Sequence, residues 1–320
     1  MNILVIRFSA LGDLVTLEPT FRAFRHFFPE AHITFLTSAI GKGLYEDTPY
    51  FNTFIVHRTF LNTLQKGRIR NYDLIFNLQC NKPSHYLSMF MNSYATINKS
   101  FNLWQKIIGI KTHSKSAEEM LTLAGCDKQE LKAYFAKPHN TIIQFPTAKN
   151  PSIQKHIALS TGSSPRWQSK QWGIHNYKQL ISHLLEHNFT ITLVGSASEE
   201  ADAILLSDTF ASIHNYVNKT SLSELKMLLA NVNLYIGNDS GPTHIAASVG
   251  TDTLTIFGPT DIKHSPKFEK YKGNHLYIKP TDIACHPCYK GKCPTHHECM
   301  RSISVQDVLM HILNHFKDEK

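Results

Sequence analysis

Asn2-Ile-Leu-Val-Ile-Arg7 opens the chain, Ser9-Ala-Leu-Gly-Asp13 turns it, and Leu17, Phe21, Phe24 and Phe28 then recur at helical spacing up to Pro29. Four consecutive apolar residues bounded by a polar, glycine-containing turn read as a buried strand, predicted over residues 2–7. The spacing that follows is that of an amphipathic helix, and the proline ends it. Together they make a β-loop-α unit. Short apolar runs recur at 32–37, 53–56 and 73–79, separated by segments long enough for helices. That alternation predicts a doubly wound α/β domain with a mainly parallel sheet.

Pro138, Pro146 and Pro151 gather among polar residues, and a second series of strands starts at 157–160, which puts a domain boundary near residue 150. The alternation then repeats. A helix is predicted over 175–187, with Tyr177, Leu180, Ile181, Leu184 and Leu185 on one face, and a strand over 189–194. Strand 232–237, helix 242–249 and strand 252–257 follow. Val305, Val308, Leu309, Ile312 and Phe316 mark a closing amphipathic helix. A length of 320 residues with 42% apolar content suits two domains, 1–150 and 151–320.

No run of about 18 apolar residues occurs, and Arg7 and Asp13 interrupt the N-terminal run too early for a signal peptide. The expectation is a cytoplasmic protein. The net charge of +8 is concentrated in residues 48–117, where Arg58, Lys66, Arg68, Arg70, Lys82, Lys99, Lys106, Lys111 and Lys115 face one acid, Asp73. With Phe60, Phe101 and Trp104 among them, the stretch fits an anionic partner, either a phosphorylated substrate or an acidic membrane surface. An ordinary solvated basic face is the plainer alternative.

Two segments lie where a strand runs into a helix, the edge at which open α/β sheets bind ligands. Arg7-Phe-Ser-Ala-Leu-Gly-Asp13 has neither the G-x-G-x-x-G nor the G-x-x-x-x-G-K-[ST] spacing, which disfavours a dinucleotide dehydrogenase and a P-loop NTPase. Read alone, Asp13 is a helix-capping residue. The second segment is Ile236-Gly-Asn-Asp239-Ser-Gly-Pro-Thr-His244, with Phe257-Gly-Pro-Thr-Asp261 beyond it. Small Ser240 and Gly241 admit a ligand close to the backbone, Pro242 suits a first helical turn, and the free N–H groups would cradle a diphosphate. His244 lies one turn further, towards the same mouth.

Taken together, these segments resemble glycosyltransferase family 9, the bacterial lipopolysaccharide heptosyltransferases. The resemblance spans nearly the whole chain: S-x-L-G-D at the start, Gly162-Ser-Ser164 followed by Lys170-Gln-Trp172, Asp239-Ser-Gly-Pro-Thr-His244, Phe257-Gly-Pro-Thr-Asp261, and a late Cys-x-x-Cys ending in Cys299-Met. It implies a GT-B enzyme, two Rossmann-like doubly wound domains facing a central cleft, with the acceptor on 1–150 and the donor on 151–320. The implied reaction moves heptose from ADP-heptose onto the lipopolysaccharide inner core with inversion. Carried over by position, Asp13 is the general base and Lys170 a donor-phosphate ligand. Thr161, Ser163, Asp239, Ser240, Gly241, Thr243 and His244 complete the donor site. A carboxylate base and a cationic diphosphate cradle suit the chemistry without a catalytic metal. Arg58, Lys66, Arg68, Arg70, Lys99, Lys106 and Lys111 are the acceptor- or membrane-facing candidates, on a chain peripherally associated with the inner membrane. Where relatives often place a ribose-binding acid, position 223 is Ser and the acid falls at Glu224.

Cys285-His-Pro-Cys288, Cys293 and Cys299 form the last cluster, with His286, His296 and His297 among them. Two readings stand: a tetrahedral structural Zn or Fe site, or a set of reduced cysteines in a loop. Two rival functions stand as well. One is a GT-B transferase with a different nucleotide-sugar donor. The other is a non-catalytic membrane-surface binding protein. No nucleic-acid partner is expected, because the basic and aromatic residues lack the spacing of an RNA-binding sheet.

Overall fold

The computed structural model describes residues 1–79, 81–99, 114–137, 155–262, 271 and 273–318. The chain divides into two compact units, Met1–His139 and Asn140–Lys320. The boundary expected near residue 150 falls in 138–154, outside the described residues.

The first unit holds strands β1 (Asn2–Ile6), β2 (His32–Thr37), β3 (Thr53–Val56), β4 (Tyr72–Asn77) and β5 (Ser93–Asn98). Its helices are α1 (Leu11–Thr16), α2 (Glu18–Phe27), α3 (Ala39–Tyr45), α4 (Phe60–Gly67), α5 (Lys82–Phe90), α6 (Ala117–Leu123) and α7 (Lys128–Ala136). The strands pair in parallel in the order β3-β2-β1-β4-β5. The opening apolar run is the middle strand, and Ile3, Leu4, Val5 and Ile6 are fully buried between two neighbours, as a continuous apolar run requires. Side-chain caps set several helix starts: Ser38 for α3, Thr59 for α4 and Asn81 for α5 each accept from an amide in the first turn. The helix read from Leu17 up to Pro29 is α2, and a short helix, α1, stands in the turn before it. The chain bends at Leu17, and Pro19, with no N–H to donate, takes the first turn of α2.

The second unit holds β6 (His156–Ser160), β7 (Thr190–Leu193), β8 (His214–Asn215), β9 (Leu234–Asn238), β10 (Asp252–Ile256) and β11 (His275–Ile278). Its helices are α8 (Ile174–Glu186), α9 (Glu200–Thr209), α10 (Leu222–Ala230), α11 (Gly241–Ser248), α12 (Glu298–Arg301) and α13 (Val305–Asp318). This sheet is also parallel, in the order β11-β10-β9-β6-β7-β8. The predicted apolar face of α8, Tyr177, Leu180, Ile181 and Leu184, packs in one core with Ile157, Leu159, Ile191, Leu234 and Ile236 of the sheet. The closing helix α13 adds Val308, Leu309, Ile312 and Phe316 to it, and the Phe316 ring meets Phe189 edge-on at 5.0 Å. Both units are doubly wound, Rossmann-like α/β domains. Among the described residues no helix is long and apolar enough to cross a membrane.

Candidate active site

In a doubly wound sheet the loops leave in opposite directions where the strand order reverses, opening a crevice beyond the strand ends. In the first unit that reversal lies between β1 and β4, and Asp13 sits beside it in the first turn of α1. Asp13 Oδ2 accepts from the Ala10 amide at 3.1 Å and pairs with Arg7 Nη2 at 2.7 Å. Arg7 reaches across the crevice, donating from Nη1 to the Leu78 carbonyl at 2.8 Å. Gln79 Oε1 returns the tie by accepting from the Phe8 amide at 2.8 Å. The capping role read for Asp13 is therefore real. Both interactions fall on one oxygen, however, and among the described residues Oδ1 makes no bond. The Asp13 side chain is 60% exposed, so that oxygen can meet an outside proton.

In the second unit the reversal lies between β6 and β9, and a buried asparagine closes it. Asn238 Nδ2 donates to the Thr161 and Gly162 carbonyls, each at 3.0 Å. Its Oδ1 accepts from the Trp172 amide and from the Tyr177 hydroxyl, each at 3.3 Å. The next residue, Asp239, gathers the candidates. Lys170 Nζ donates to Asp239 Oδ2 at 2.7 Å and to the Asp239 carbonyl at 3.0 Å. The Thr260 hydroxyl donates to the same Oδ2 at 2.8 Å, and His244 Nε2 lies 3.8 Å from Oδ1. Burial pushes the Asp239 carboxyl up, but Lys170, His244 and the Thr260 bond outweigh it and hold the group below the usual carboxylate range. The Trp167 ring lies under the Lys170 ammonium at 4.9 Å.

Pro242 occupies the first turn of α11, as the sequence predicts, and Ser240 stands at its N-cap position without a side-chain cap bond, so the helix start presents backbone N–H groups at this edge. Thr243 is fully buried, and its hydroxyl donates to the Asn238 carbonyl at 2.6 Å, which holds the turn. Ser163 donates to the Trp167 carbonyl at 2.7 Å and braces the turn before Lys170. Thr161 is buried and lends its carbonyl to Asn238. Tyr235 lies beneath, where burial pushes its phenol up to about 12. Gly237 is required here: a Cβ would stand 2.5 Å from the Tyr235 hydroxyl.

The model of glycosyltransferase family 9 (heptosyltransferase) matches residues 69–298. The chain belongs to that family. The lipooligosaccharide heptosyltransferase 2 of Campylobacter jejuni is 23% identical over 317 residues, covering 96% of each chain. The solved E. coli ADP-heptose lipopolysaccharide heptosyltransferase II superposes with a TM-score of 0.78 at 20% identity over the full length of both chains. A second E. coli heptosyltransferase, solved with ADP, gives a TM-score of 0.72 at 15% identity, over 98% of this chain and 99% of that one. The fold expected from the resemblance, two Rossmann-like domains of the GT-B type, is the fold of these enzymes.

Arg7, Asn238 and Thr260 are the residues of this glycosyltransferase that sequence reasoning missed. A polar residue ending an otherwise apolar strand, as Arg7 and Asn238 do, is the signal that marks them. Glu224 is engaged locally: it accepts from the Ser221 amide at 2.7 Å and hydroxyl at 2.8 Å, capping α10. The cysteine segment is tied to the turn before Lys170 and to the end of β10. Ser169 donates its hydroxyl to the Lys290 carbonyl at 2.5 Å and its amide to the Gly291 carbonyl at 3.1 Å. His286 Nδ1 lies 2.8 Å from the Gly258 carbonyl, and the Tyr289 amide donates to Pro259 at 2.9 Å. Burial, together with the charge of neighbouring Cys285, Cys288 and Cys293, pushes the Cys299 thiol up to about 11. Among the described residues, no three His, Cys, Asp or Glu side chains converge closely enough to hold a metal ion. Arg58, Lys66, Arg68 and Arg70 are exposed around α4. Lys99 follows β5, and Lys106 and Lys111 lie outside the described residues. A separate cavity of about 660 Å³, lined by Lys115, Glu118, Glu119, Thr122, Leu123, Lys128 and Lys132, contains none of the expected site residues.

Proposed function

We propose that this glycosyltransferase moves L-glycero-D-manno-heptose from ADP-heptose onto the lipopolysaccharide inner core, on Kdo-lipid A or heptosyl-Kdo-lipid A, with inversion at the anomeric carbon. The observation that carries the reading is Lys170 held on Asp239 at the N-terminus of α11. Two of the three ammonium protons are used on Asp239, and the third remains for a phosphate oxygen. The first-turn N–H groups of Gly241 and Thr243 add the positive end of the helix dipole. As the bond from the sugar C1 to the diphosphate breaks, charge builds on the leaving ADP, and these groups stabilise it with no need for a catalytic metal. Asp13 Oδ1 takes the acceptor hydroxyl proton as the new C1–O bond forms, a contribution of roughly 10²–10⁴-fold.

The acceptor belongs to residues 1–150 and the donor to 151–320 in this reading. The cations Arg58, Lys66, Arg68 and Arg70 attract the phosphates and Kdo acids of the acceptor, at the cytoplasmic face of the inner membrane. The test is ADP release from ADP-heptose, with and without a heptose-deficient lipopolysaccharide acceptor, in wild type and Asp13→Asn. Release that requires both acceptor and Asp13, with ADP-heptose affinity in the variant within a few-fold of wild type, supports the reading. Wild-type turnover in Asp13→Asn removes the base. Tight binding of another nucleotide-sugar without release from ADP-heptose reassigns the donor.

A further inference from the structure

The first unit carries a second surface with a chemistry of its own, on α4, α5 and the residues joining them to the sheet. Leu61 is 72% exposed, Ile69 79% and Met89 61%, and Phe60, Tyr86 and Phe90 are each more than a third exposed. Tyr86, Met89 and Phe90 stand at i, i+3 and i+4, one face of α5. Contacts join the two helices into one surface. The Phe60 and Phe90 rings meet edge-on at 6.3 Å, and Arg68 Nε donates to the Phe90 carbonyl at 2.6 Å. Their inner faces close the core through Leu64, Leu87 and Met91, so the outer apolar residues are surplus to what the fold requires.

The charges of this stretch are nearly all of one sign. Arg58, Lys66, Arg68, Arg70 and Lys82 are exposed, and among the described residues none of them is in an ion pair. The one acid of the region, Asp73, accepts from the Asn2 amide at 2.6 Å. Apolar side chains proud of a cationic rim, with five cations against the one carboxylate of Asp73, form a surface complementary to an anionic bilayer. The apolar groups enter the acyl boundary while the cations meet the headgroups. A protein partner of ordinary mixed charge would leave these cations unmatched.

We propose that the α4–α5 face docks the enzyme on an anionic phospholipid surface, with Leu61, Ile69 and Met89 inserted and Lys66 and Arg70 on the headgroups. This rests on the proposed function only in supplying a reason for docking, a lipid-borne acceptor; the surface stands on its own residues. The full chain is sedimented with phosphatidylcholine vesicles, with and without about one third phosphatidylglycerol, at about 0.1 M and about 1 M salt. Binding is expected to the anionic vesicles alone, and to weaken about 10-fold or more in high salt. Leu61→Ser/Ile69→Ser/Met89→Ser should weaken it about 10-fold, leaving the unfolding temperature and turnover on a delipidated, soluble acceptor unchanged. Lys66→Glu/Arg70→Glu should abolish it with the apolar face intact. Wild-type protein that stays in the supernatant overturns the proposal, as does a triple variant that sediments like wild type. So does a triple variant whose only change is the loss of a dimer, which assigns the face to a second copy of the chain. Because sedimentation needs no donor, vesicle binding without heptose transfer would sink the proposed function and leave this inference standing.

Discussion

Lys170→Met isolates the ammonium that the donor reading depends on, because methionine keeps an unbranched stem beside Trp167 while deleting the charge. Two losses follow, and they are read separately. The Asp239 side chain is 12% exposed, and a nearly buried carboxylate deprived of its cation costs about 3–5 kcal/mol of stability. Thr260 and His244 still bond or face it, so the lower end, about 3 kcal/mol, is expected in denaturant unfolding. The donor loses one charge-assisted hydrogen bond worth about 1.5–3 kcal/mol, which is about a 10- to 150-fold weaker Kd for ADP by titration calorimetry. Adding Asp239→Asn should recover stability, since the orphaned charge goes with it, but should not recover ADP affinity. The pH dependence also changes sign. Asp239 in the wild type is held below its ordinary 3.8, so its contribution is fully present above that pH and is lost as pH falls through the lower folded value. Without Lys170, burial opposes ionisation, and stability instead falls as pH rises above 3.8. ADP affinity within two-fold of wild type in Lys170→Met would refute the assignment of this residue to the diphosphate.

Arg7→Met should lower turnover about 10- to 100-fold with the KM for donor unchanged, because Asp13 loses the contact that aims it; Arg7→Lys should recover part of it, and an effect on KM alone would remove Arg7 as a positioning residue. Gly237→Ala drives a Cβ to 2.5 Å from the Tyr235 hydroxyl inside the core, and should cost about 1–3 kcal/mol of stability in chemical denaturation. An unchanged midpoint would mean that Tyr235 moves aside freely. The Thr295 hydroxyl and nearby amides draw the Cys293 thiol below its ordinary range, outweighing burial, while Cys299 stands at about 11. Near neutral pH, iodoacetamide should therefore label Cys293 well before Cys299 in peptide mapping; equal rates would contradict the arrangement.

The parts of the fold legible in the sequence are those that periodicity governs. The run at 3–6 is the central strand of its sheet, and the predicted faces of α8 and α13 are the buried ones, because an apolar stripe has nowhere else to go. The short helix α1 falls partly in the segment read as a turn, because Leu11–Thr16 is too short to show an apolar period, whereas Phe21 and Phe24 beyond it marked α2. The short edge strands β8 and β11 carry little apolar signal of their own, and their sheet position comes from pairing with β7 and β10. At the site, the turn at Ser240-Gly241-Pro242 was readable from local backbone needs. The pairing of Lys170 with Asp239 lies 69 positions apart in sequence, and no local rule reports it. For the cysteines, spacing gave the neighbourhood, and Cys285, Cys288 and Cys293 do lie near enough to Cys299 to raise its thiol.

The Lys170 turn depends on residues made much later. Its Ser169 hydroxyl bonds a carbonyl 121 positions on, and the Trp172 indole donates to Ile303, 131 positions on. A ribosome that has delivered β6 through Thr260 has produced every side chain of the Lys170–Asp239–Thr260 group but not the strap that fixes it. Long-range closures of this kind come late in folding and are the slow step to reach. Donor competence should thus appear as the final event of synthesis, after residues 285–303 have emerged. Chains cut short in that stretch should form much of the sheet and yet hold no nucleotide.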